Sequence, residues 1–220
     1  MIPPKQNGNF VAQMELVLDV YKRPYDPLYP VVCMDESPKQ LIGETRTPIP
    51  ASPGQLERYD YEYRRLGTCN VFLAFEPLAG KRLVKITERK TGEDWAYFLE
   101  EIAKEYENAE KITLVMDNLK THTPGSLYLT FPPEKARALW KRFEFIYTPK
   151  HGSWLNIAEI ELNVLTRQCL KRRFDDIEKV RREVMAWKEN RDNKKAKVNW
   201  QFTTKDARIK LSKLYPTIES

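Results

Sequence analysis

Hydrophobic and polar residues follow two different periods along this chain. Apolar residues recur at the three- and four-residue spacing of a helix between Phe10 and Tyr21. The same spacing follows Thr91-Gly92-Glu93-Asp94, a sequence typical of a helix start. Further helices are predicted at residues 133–143, 153–170, 175–190 and 200–215.

Short continuous apolar runs indicate buried strands between these helices. The predicted strands cover residues 31–34, 69–75, 82–87, 112–116 and 145–147. Pro77-Leu78-Ala79-Gly80 is typical of a hairpin turn between the second and third strands. Residues 47–67 hold several prolines and tyrosines and predict an ordered loop. The order of helices, strands and hairpin predicts an α/β fold with a mixed central sheet flanked by helices.

The composition fits one large domain with a buried core. The chain has 220 residues, of which 41% are hydrophobic and 31% are charged. No apolar run approaches the roughly 20 residues that span a bilayer, and residues 1–6 lack the apolar stretch of a signal peptide. Three cysteines that lie far apart indicate reduced thiols rather than a disulfide framework. We therefore expect a cytoplasmic protein without a membrane partner.

The surplus positive charge is confined to the C-terminal fifth of the chain. Residues 171–213 carry 15 Lys and Arg against 7 Asp and Glu, whereas the other residues carry 22 against 24. Such a basic segment attracts polyanions, of which nucleic acid is the commonest in a cytosol. Interleaved glutamates leave a second interpretation open, namely a solvated helical face without a ligand. We divide the chain into a core at residues 1–170, with its N-terminal helix, and a basic helical extension at residues 171–220 packed on that core.

Two of the predicted strands lead directly into an aspartate. Asp35 follows the apolar run at residues 31–34, and Asp117 follows the run at residues 112–116. Ligands of open α/β sheets bind beyond the carboxyl ends of the strands, so both side chains are well placed for a site. Aspartate at a strand end is also common as a turn or capping residue, and that structural role stays open.

A third candidate carboxylate lies on the helix that is predicted to begin near Ser153, with Ser153 as its cap. Glu159 borders the apolar stripe of this helix, whereas Glu161 lies about 200° further round and is expected to face solvent. A carboxylate at the edge of a buried face is costly unless it is paired or binds a metal, which favours Glu159. Three converging carboxylates repel one another without a cation, and their hard oxygens suit Mg²⁺ or Mn²⁺. Two such ions about 4 Å apart support phosphodiester cleavage.

Three segments around these carboxylates resemble the motifs of DDE transposases, most closely those of the bacterial insertion-sequence relatives of the mariner superfamily. The segments are Val32-Cys33-Met34-Asp35-Glu36, Asp117-Asn118-Leu119-Lys120-Thr121-His122 and Ser153-Trp154-Leu155-Asn156-Ile157-Ala158-Glu159. The resemblance covers nearly the whole chain and implies a ribonuclease-H-like core in which Asp35, Asp117 and Glu159 hold two Mg²⁺ or Mn²⁺ ions. Water would cleave DNA at the transposon ends, and the freed 3′-hydroxyl would attack target DNA.

Other residues are expected to support this site. Supporting or DNA-contacting roles are expected for Asn118, His122, His151, Trp154 and Asn156. The basic residues expected to bind nucleic acid are Lys171, Arg172, Arg173, Lys194, Lys195 and Lys197. The absence of Cys-x-x-Cys and His-x-x-x-His spacings disfavours a zinc site.

Two features depart from the family pattern. No helix-turn-helix segment precedes Phe10, so the expected partners besides DNA are a second copy of this chain or a separate helix-turn-helix chain. Asp117 and Glu159 are separated by 41 residues, which is more than is usual, and the extra length is expected in a loop at residues 123–133.

Two alternative functions stay open. One is a truncated remnant that binds DNA or a partner without cutting, and the other is a different ribonuclease-H-like nuclease.

Overall fold

Five strands form one mixed sheet in the computed structural model, which describes residues 6–217. The strands are β1 (Val31–Glu44), β2 (Tyr63–Glu76), β3 (Lys81–Thr87), β4 (Ile112–Met116) and β5 (Phe143–Tyr147). Their order across the sheet is β3-β2-β1-β4-β5. The pairs β1–β2 and β2–β3 are antiparallel, whereas β1–β4 and β4–β5 are parallel. The α/β fold with a mixed sheet that the sequence predicts is therefore confirmed.

Helices cover both faces of this sheet. They are α1 (Gly8–Tyr21), α2 (Gly92–Glu105), α3 (Pro124–Thr130), α4 (Pro133–Lys141), α5 (Ile157–Leu165), α6 (Ile177–Asn193) and α7 (Thr204–Lys210). Short 3₁₀ turns lie at Ser153–Leu155 and Ser212–Leu214, and a π turn at Thr166–Leu170 continues α5. Helices α1, α5, α6 and α7 pack on one face, and α2, α3 and α4 pack on the other. Because both faces are covered, every residue of β4 is buried.

Side-chain alternation divides β1 between the two cores. Cys33 packs in the core on the α5 face, while Val32 and Met34 pack in the core on the α2 face. Successive residues of a strand point to opposite faces, so Asp35 is directed toward α5 and Glu36 toward α2. Two acidic neighbours in the sequence therefore belong to different sides of the sheet.

The ends of the helices follow from local sequence. The Thr91 hydroxyl accepts the backbone N–H of Asp94 at 3.1 Å, and the Asp94 carboxylate accepts the backbone N–H of Thr91 at 2.9 Å. This reciprocal capping box fixes the predicted start of α2. At the end of α1, the Tyr21 hydroxyl donates to the carbonyl of Leu155 at 2.7 Å and ties α1 to the segment before α5.

Three elements differ from the sequence prediction. The predicted loop at residues 123–133 contains α3, because Pro124 occupies the first helical position and Leu127 is buried in the core. Strand β1 extends far beyond residue 34, because it continues as the antiparallel partner of β2 after its parallel pairing with β4 has ended. The same pairing draws residues 63–67, predicted as part of a loop, into β2.

All three cysteines lie in the core on the α5 face. Cys33, Cys69 and Cys169 are all buried and free. Burial raises the pKa of the Cys33 thiol to about 12, which keeps it protonated and unreactive. No helix within residues 6–217 is long and apolar enough to cross a membrane.

The core on the α2 face yields a matched test of the packing. Leu99 of α2 is 0% exposed, whereas Leu129 of α3 is 91% exposed. Leu99→Ala should lower the free energy of unfolding by about 2–5 kcal/mol, because it leaves a cavity in a packed core. Leu129→Ala should change the same quantity by less than about 0.5 kcal/mol. Urea denaturation measures both, and equal losses would contradict this packing.

Candidate active site

Strands β1 and β4 bring the first two candidate carboxylates side by side. They pair in parallel with Cys33 beside Val115, and both of these residues pack on the α5 face. Asp35 and Asp117 each follow two residues later, so alternation places them on that same face. Asp117 comes directly after β4, as predicted. The prediction that Asp35 ends its strand is wrong, because β1 runs on to Glu44 alongside β2.

The start of α5 is fastened to β1 beside this pair. The buried Asn156 side chain donates from Nδ2 to the carbonyl of Met34 at 2.8 Å, and its Oδ1 accepts the backbone N–H of Ala158 at 3.1 Å. Asn156 therefore caps α5 and links it to the residue before Asp35. Ser153 does not cap the helix as predicted, because residues 153–155 form a separate 3₁₀ turn. Glu159, half-buried in the first turn of α5, is positioned through this link.

The electrostatics indicate that the three carboxylates lie near one another. Burial raises the pKa of the Asp35 carboxyl to about 7, and the negative charges of Asp117, Glu159 and Glu36 act in the same direction. A hydrogen bond from the backbone N–H of Glu36 to Asp35 Oδ1, at 2.8 Å, opposes the shift. Within residues 6–217, neither Asp35 nor Glu159 forms an ion pair with a Lys, Arg or His side chain.

The donor chemistry of this group suits a hard divalent cation. Three carboxylates supply the oxygen ligands that Mg²⁺ and Mn²⁺ prefer. Their mutual repulsion, together with the lack of an ion-pair partner for Asp35 and Glu159 within residues 6–217, leaves a negative charge that a cation would neutralise. In the part of the chain that the structure describes, no three His, Cys, Asp or Glu side chains already stand in an arrangement that could hold one metal ion.

His122 lies between Asp117, just past the end of β4, and Glu36. This buried histidine lies with Nδ1 3.1 Å from Asp117 Oδ1 and with Nε2 3.4 Å from Glu36 Oε2. Its ring stacks on Trp95, with ring centroids 5.3 Å apart, and Lys90 Nζ lies 3.4 Å from Glu36 Oε1. Burial disfavours the charged imidazolium, but the carboxylates of Asp117 and Glu36 outweigh it and raise the pKa of His122 to about 9. Glu36 was missed by the sequence reasoning, although an Asp35-Glu36 pair in a strand must serve opposite faces.

Glu161 has a structural role. The prediction that it faces solvent is wrong: its side chain is 1% exposed. Its Oε1 accepts from Arg82 Nε at 2.7 Å, and Arg191 donates to both of its oxygens at 3.0 Å. Strand β3 and helix α6, which pack against each other, provide these arginines. Asp192 joins the network through Arg82 Nη1 at 3.1 Å.

Three predicted supporting residues occupy different environments. His151 and Asn118 are exposed, and His151 has a positive φ of 67°. Trp154 is half-buried and lies edge-on to Phe202, with ring centroids 6.0 Å apart. The indole Nε1 of Trp154 is buried and has no hydrogen-bond partner among the described residues. A contact of any of the three with DNA stays a prediction.

The six predicted DNA-binding cations lie on more than one surface. Lys171, Arg172 and Lys194 line one groove, together with Arg167 and Arg191, which the sequence reasoning missed. The other three lie elsewhere. Arg173 Nη1 pairs with Glu44 at 2.7 Å, Lys197 lines a separate groove, and the backbone of Lys195 packs against Gly80. Gly80 has a φ of 71°, and a Cβ there would lie 2.8 Å from the Lys195 carbonyl carbon, so this contact requires glycine.

Comparison with known proteins adds two findings. The sequence matches the family described as DDE superfamily endonuclease over residues 30–181. A search of curated proteins found no match.

Solved structures of Mos1 share the fold. The Mos1 mariner paired-end complex with Mn matches at a TM-score of 0.58 and 16% identity, over 89% of this chain and 62% of that chain. The Mos1 strand transfer complex matches at 0.60 and 16%, over 89% and 59%. The Mos1 paired-end complex with Mg matches at 0.58 and 14%, over 99% and 66%. The ribonuclease-H-like fold expected from the sequence is thereby confirmed, while this chain spans less than two thirds of each Mos1 chain.

The two glutamates of α5 provide a matched pair of variants. Glu161→Gln should lower the free energy of unfolding by on the order of 3 kcal/mol, because it leaves two arginine charges without their buried partner. Glu159→Gln should leave this quantity unchanged or slightly higher, because it removes one of several repelling charges. Urea denaturation of both variants checks the contrast. A loss of stability in Glu159→Gln alone would reverse the roles assigned to these residues.

Protonation of His122 should make stability depend on pH. The folded protein holds this proton up to a pKa of about 9, whereas the ordinary histidine value is 6.5. The stabilisation is complete below pH 6.5 and is lost as the pH rises through 9, a difference of up to about 3 kcal/mol. His122→Gln should remove this loss, as measured by urea denaturation in EDTA at both ends of the window. His151→Gln, at the exposed histidine, is the control and should behave as wild type.

Proposed function

The chain belongs to the DDE superfamily endonuclease family, and from this premise we propose that it is the catalytic core of a transposase. In this proposal it cleaves DNA strands at transposon ends and transfers them to target DNA, with the help of divalent metal ions. The observation that carries the proposal is the placement of Asp35 and Asp117 on one face of adjacent parallel strands, with α5 and its Glu159 fastened beside them by Asn156.

We assign the metal-binding role to Asp35, Asp117 and Glu159. These residues would hold two Mg²⁺ or Mn²⁺ ions, since their oxygens are suitable ligands and Asp35 and Glu159 have no ion-pair partner within residues 6–217. Bound divalent ions would supply the positive charge that activates an attacking water and stabilises the leaving oxygen of the phosphodiester.

The surrounding residues hold the carboxylates in position. His122 engages Oδ1 of Asp117 and leaves Oδ2 of that carboxylate available, while Asp117 remains 36% exposed. With its pKa raised to about 7 by burial, Asp35 would take up a proton near neutral pH, and a bound cation would replace that proton. Asn156 keeps the first turn of α5 at a fixed distance from β1.

We also propose DNA as the principal partner. The Mos1 structures that share this fold are paired-end and strand-transfer complexes, and the basic residues after α5 supply a positively charged surface in this chain. We propose that residues 1–170 form the catalytic core and residues 171–220 a DNA-binding extension. The acting assembly would be a homodimer, or this chain with a helix-turn-helix chain, in the bacterial insertion-sequence branch of the family and at the nucleoid.

Asp117→Asn tests the catalytic assignment. We expect the wild-type chain to nick supercoiled plasmid in Mn²⁺, and the variant to lose at least about 100-fold in rate, since a carboxylate ligand has been replaced by an amide. Asp26→Asn is the control for loss of one negative charge, because Asp26 is exposed and precedes β1 at the other end of the sheet. Gel analysis with an EDTA lane measures the rates, and both proteins are checked for folding by circular dichroism. Undiminished nicking by Asp117→Asn would contradict the assignment of Asp117 as a metal ligand.

A further inference from the structure

A basic groove lies between the π turn after α5 and the helix α6. Its volume is about 710 Å³. The charged residues that line it are Arg167, Lys171, Arg172, Arg191, Lys194 and a single acid, Glu183. Five cations against one acid make this groove a site for anions.

Three of these cations are available to a ligand. Arg167, Lys171 and Lys194 are exposed, and none forms an ion pair or a side-chain hydrogen bond within residues 6–217. By contrast, Arg172 pairs with Glu183, and Arg191 is held by Glu161.

The floor of the groove is fixed. The Trp187 ring is buried, and its Nε1 donates to Gln168 Oε1 at 2.9 Å. This hydrogen bond joins α6 to the π turn and so holds together the two elements that carry the cations. Arg191 connects the same groove to α5 through Glu161.

The groove lies beyond the C-terminal end of α5, whereas Glu159 lies in the first turn of that helix. Arg167 follows Glu159 by eight residues, which corresponds to an axial rise of about 12 Å. Phosphates follow one another at about 3.4 Å of axial rise along one strand of duplex DNA. If a DNA strand whose phosphodiester lies at Glu159 runs along the axis of α5, its phosphates come near the groove about three to four nucleotides further on.

We propose that this groove binds the phosphate backbone of DNA a few nucleotides away from the bond that is cleaved. The inference rests on the proposed function and adds a second contact region to it. It divides the six basic residues that the sequence singled out: Lys171, Arg172 and Lys194 belong to the groove, whereas Arg173, Lys195 and Lys197 do not. The cations are spread along an open groove, which matches a chain of phosphates better than one small anion.

The test compares two variants that lose the same charges. Arg167→Ala/Lys194→Ala removes two cations of the groove, and Arg137→Ala/Lys141→Ala removes two exposed cations of α4 on the other face of the sheet. Binding of a labelled DNA duplex is followed by fluorescence anisotropy over a range of salt concentrations. EDTA is present throughout, so that no cleavage takes place.

The groove variant should bind DNA about tenfold more weakly than wild type, and the slope of log K against log salt should fall by about 1.8. The control variant should stay within about twofold of wild type. Equal weakening of the two variants, or none in the groove variant, would overturn the proposal. Displacement of the duplex by tripolyphosphate at the same phosphate concentration would do so as well, because it indicates a small-anion site.

These outcomes are separable from those of the catalytic proposal. Binding in EDTA does not depend on cleavage, so the groove is tested independently of nicking. Groove-dependent binding without metal-dependent nicking would leave the groove assignment in place and reject the catalytic one. Metal-dependent nicking together with DNA binding that does not depend on the groove would support the catalytic assignment and reject the groove assignment.

Discussion

The parallel pairing of β1 with β4 is the constraint on which the candidate site depends. Its register sets Cys33 beside Val115, and side-chain alternation then directs Asp35 and Asp117 to the same face of the sheet. Carboxylates brought together in a partly buried place repel one another, and the raised pKa of Asp35 reflects that burial and repulsion. Such an arrangement persists because the sheet, buried on both faces, is too well packed to let the strands move apart.

The acidic residues near the site divide into those with an internal counter-ion and those without one. Glu36 lies near His122 and Lys90, and Glu161 binds two arginines, so both are neutralised internally. Asp35 and Glu159 have no such counter-ion among the described residues. The distinction follows the geometry of strand and helix, since neighbours in the sequence serve opposite sides. Acids that hold the fold together are thereby separated from acids that remain for a cation.

The basic residues are separated in a comparable way. The sequence presents one cationic segment after α5, but the fold distributes it over several surfaces. The groove along α6 combines Lys171 and Lys194 with Arg167, which precedes the segment. Arg173 forms an ion pair with Glu44 at the end of β1. Charge counted along the chain therefore overstates the size of any single DNA-binding surface.

The sequence by itself determined the type and approximate place of most helices and strands, because apolar spacing and capping residues act locally: the Thr91 capping box and the buried run of β4 are examples. It also determined the three motifs, hence the choice of Asp35, Asp117 and Glu159. Only the tertiary structure decided the length of β1, the burial of Glu161 and the partners of His122, since each depends on residues distant in the chain. Glu161 shows the reason most clearly: the periodicity of α5 identifies one apolar face, but it contains no information about the arginines that β3 and α6 bring to the opposite side.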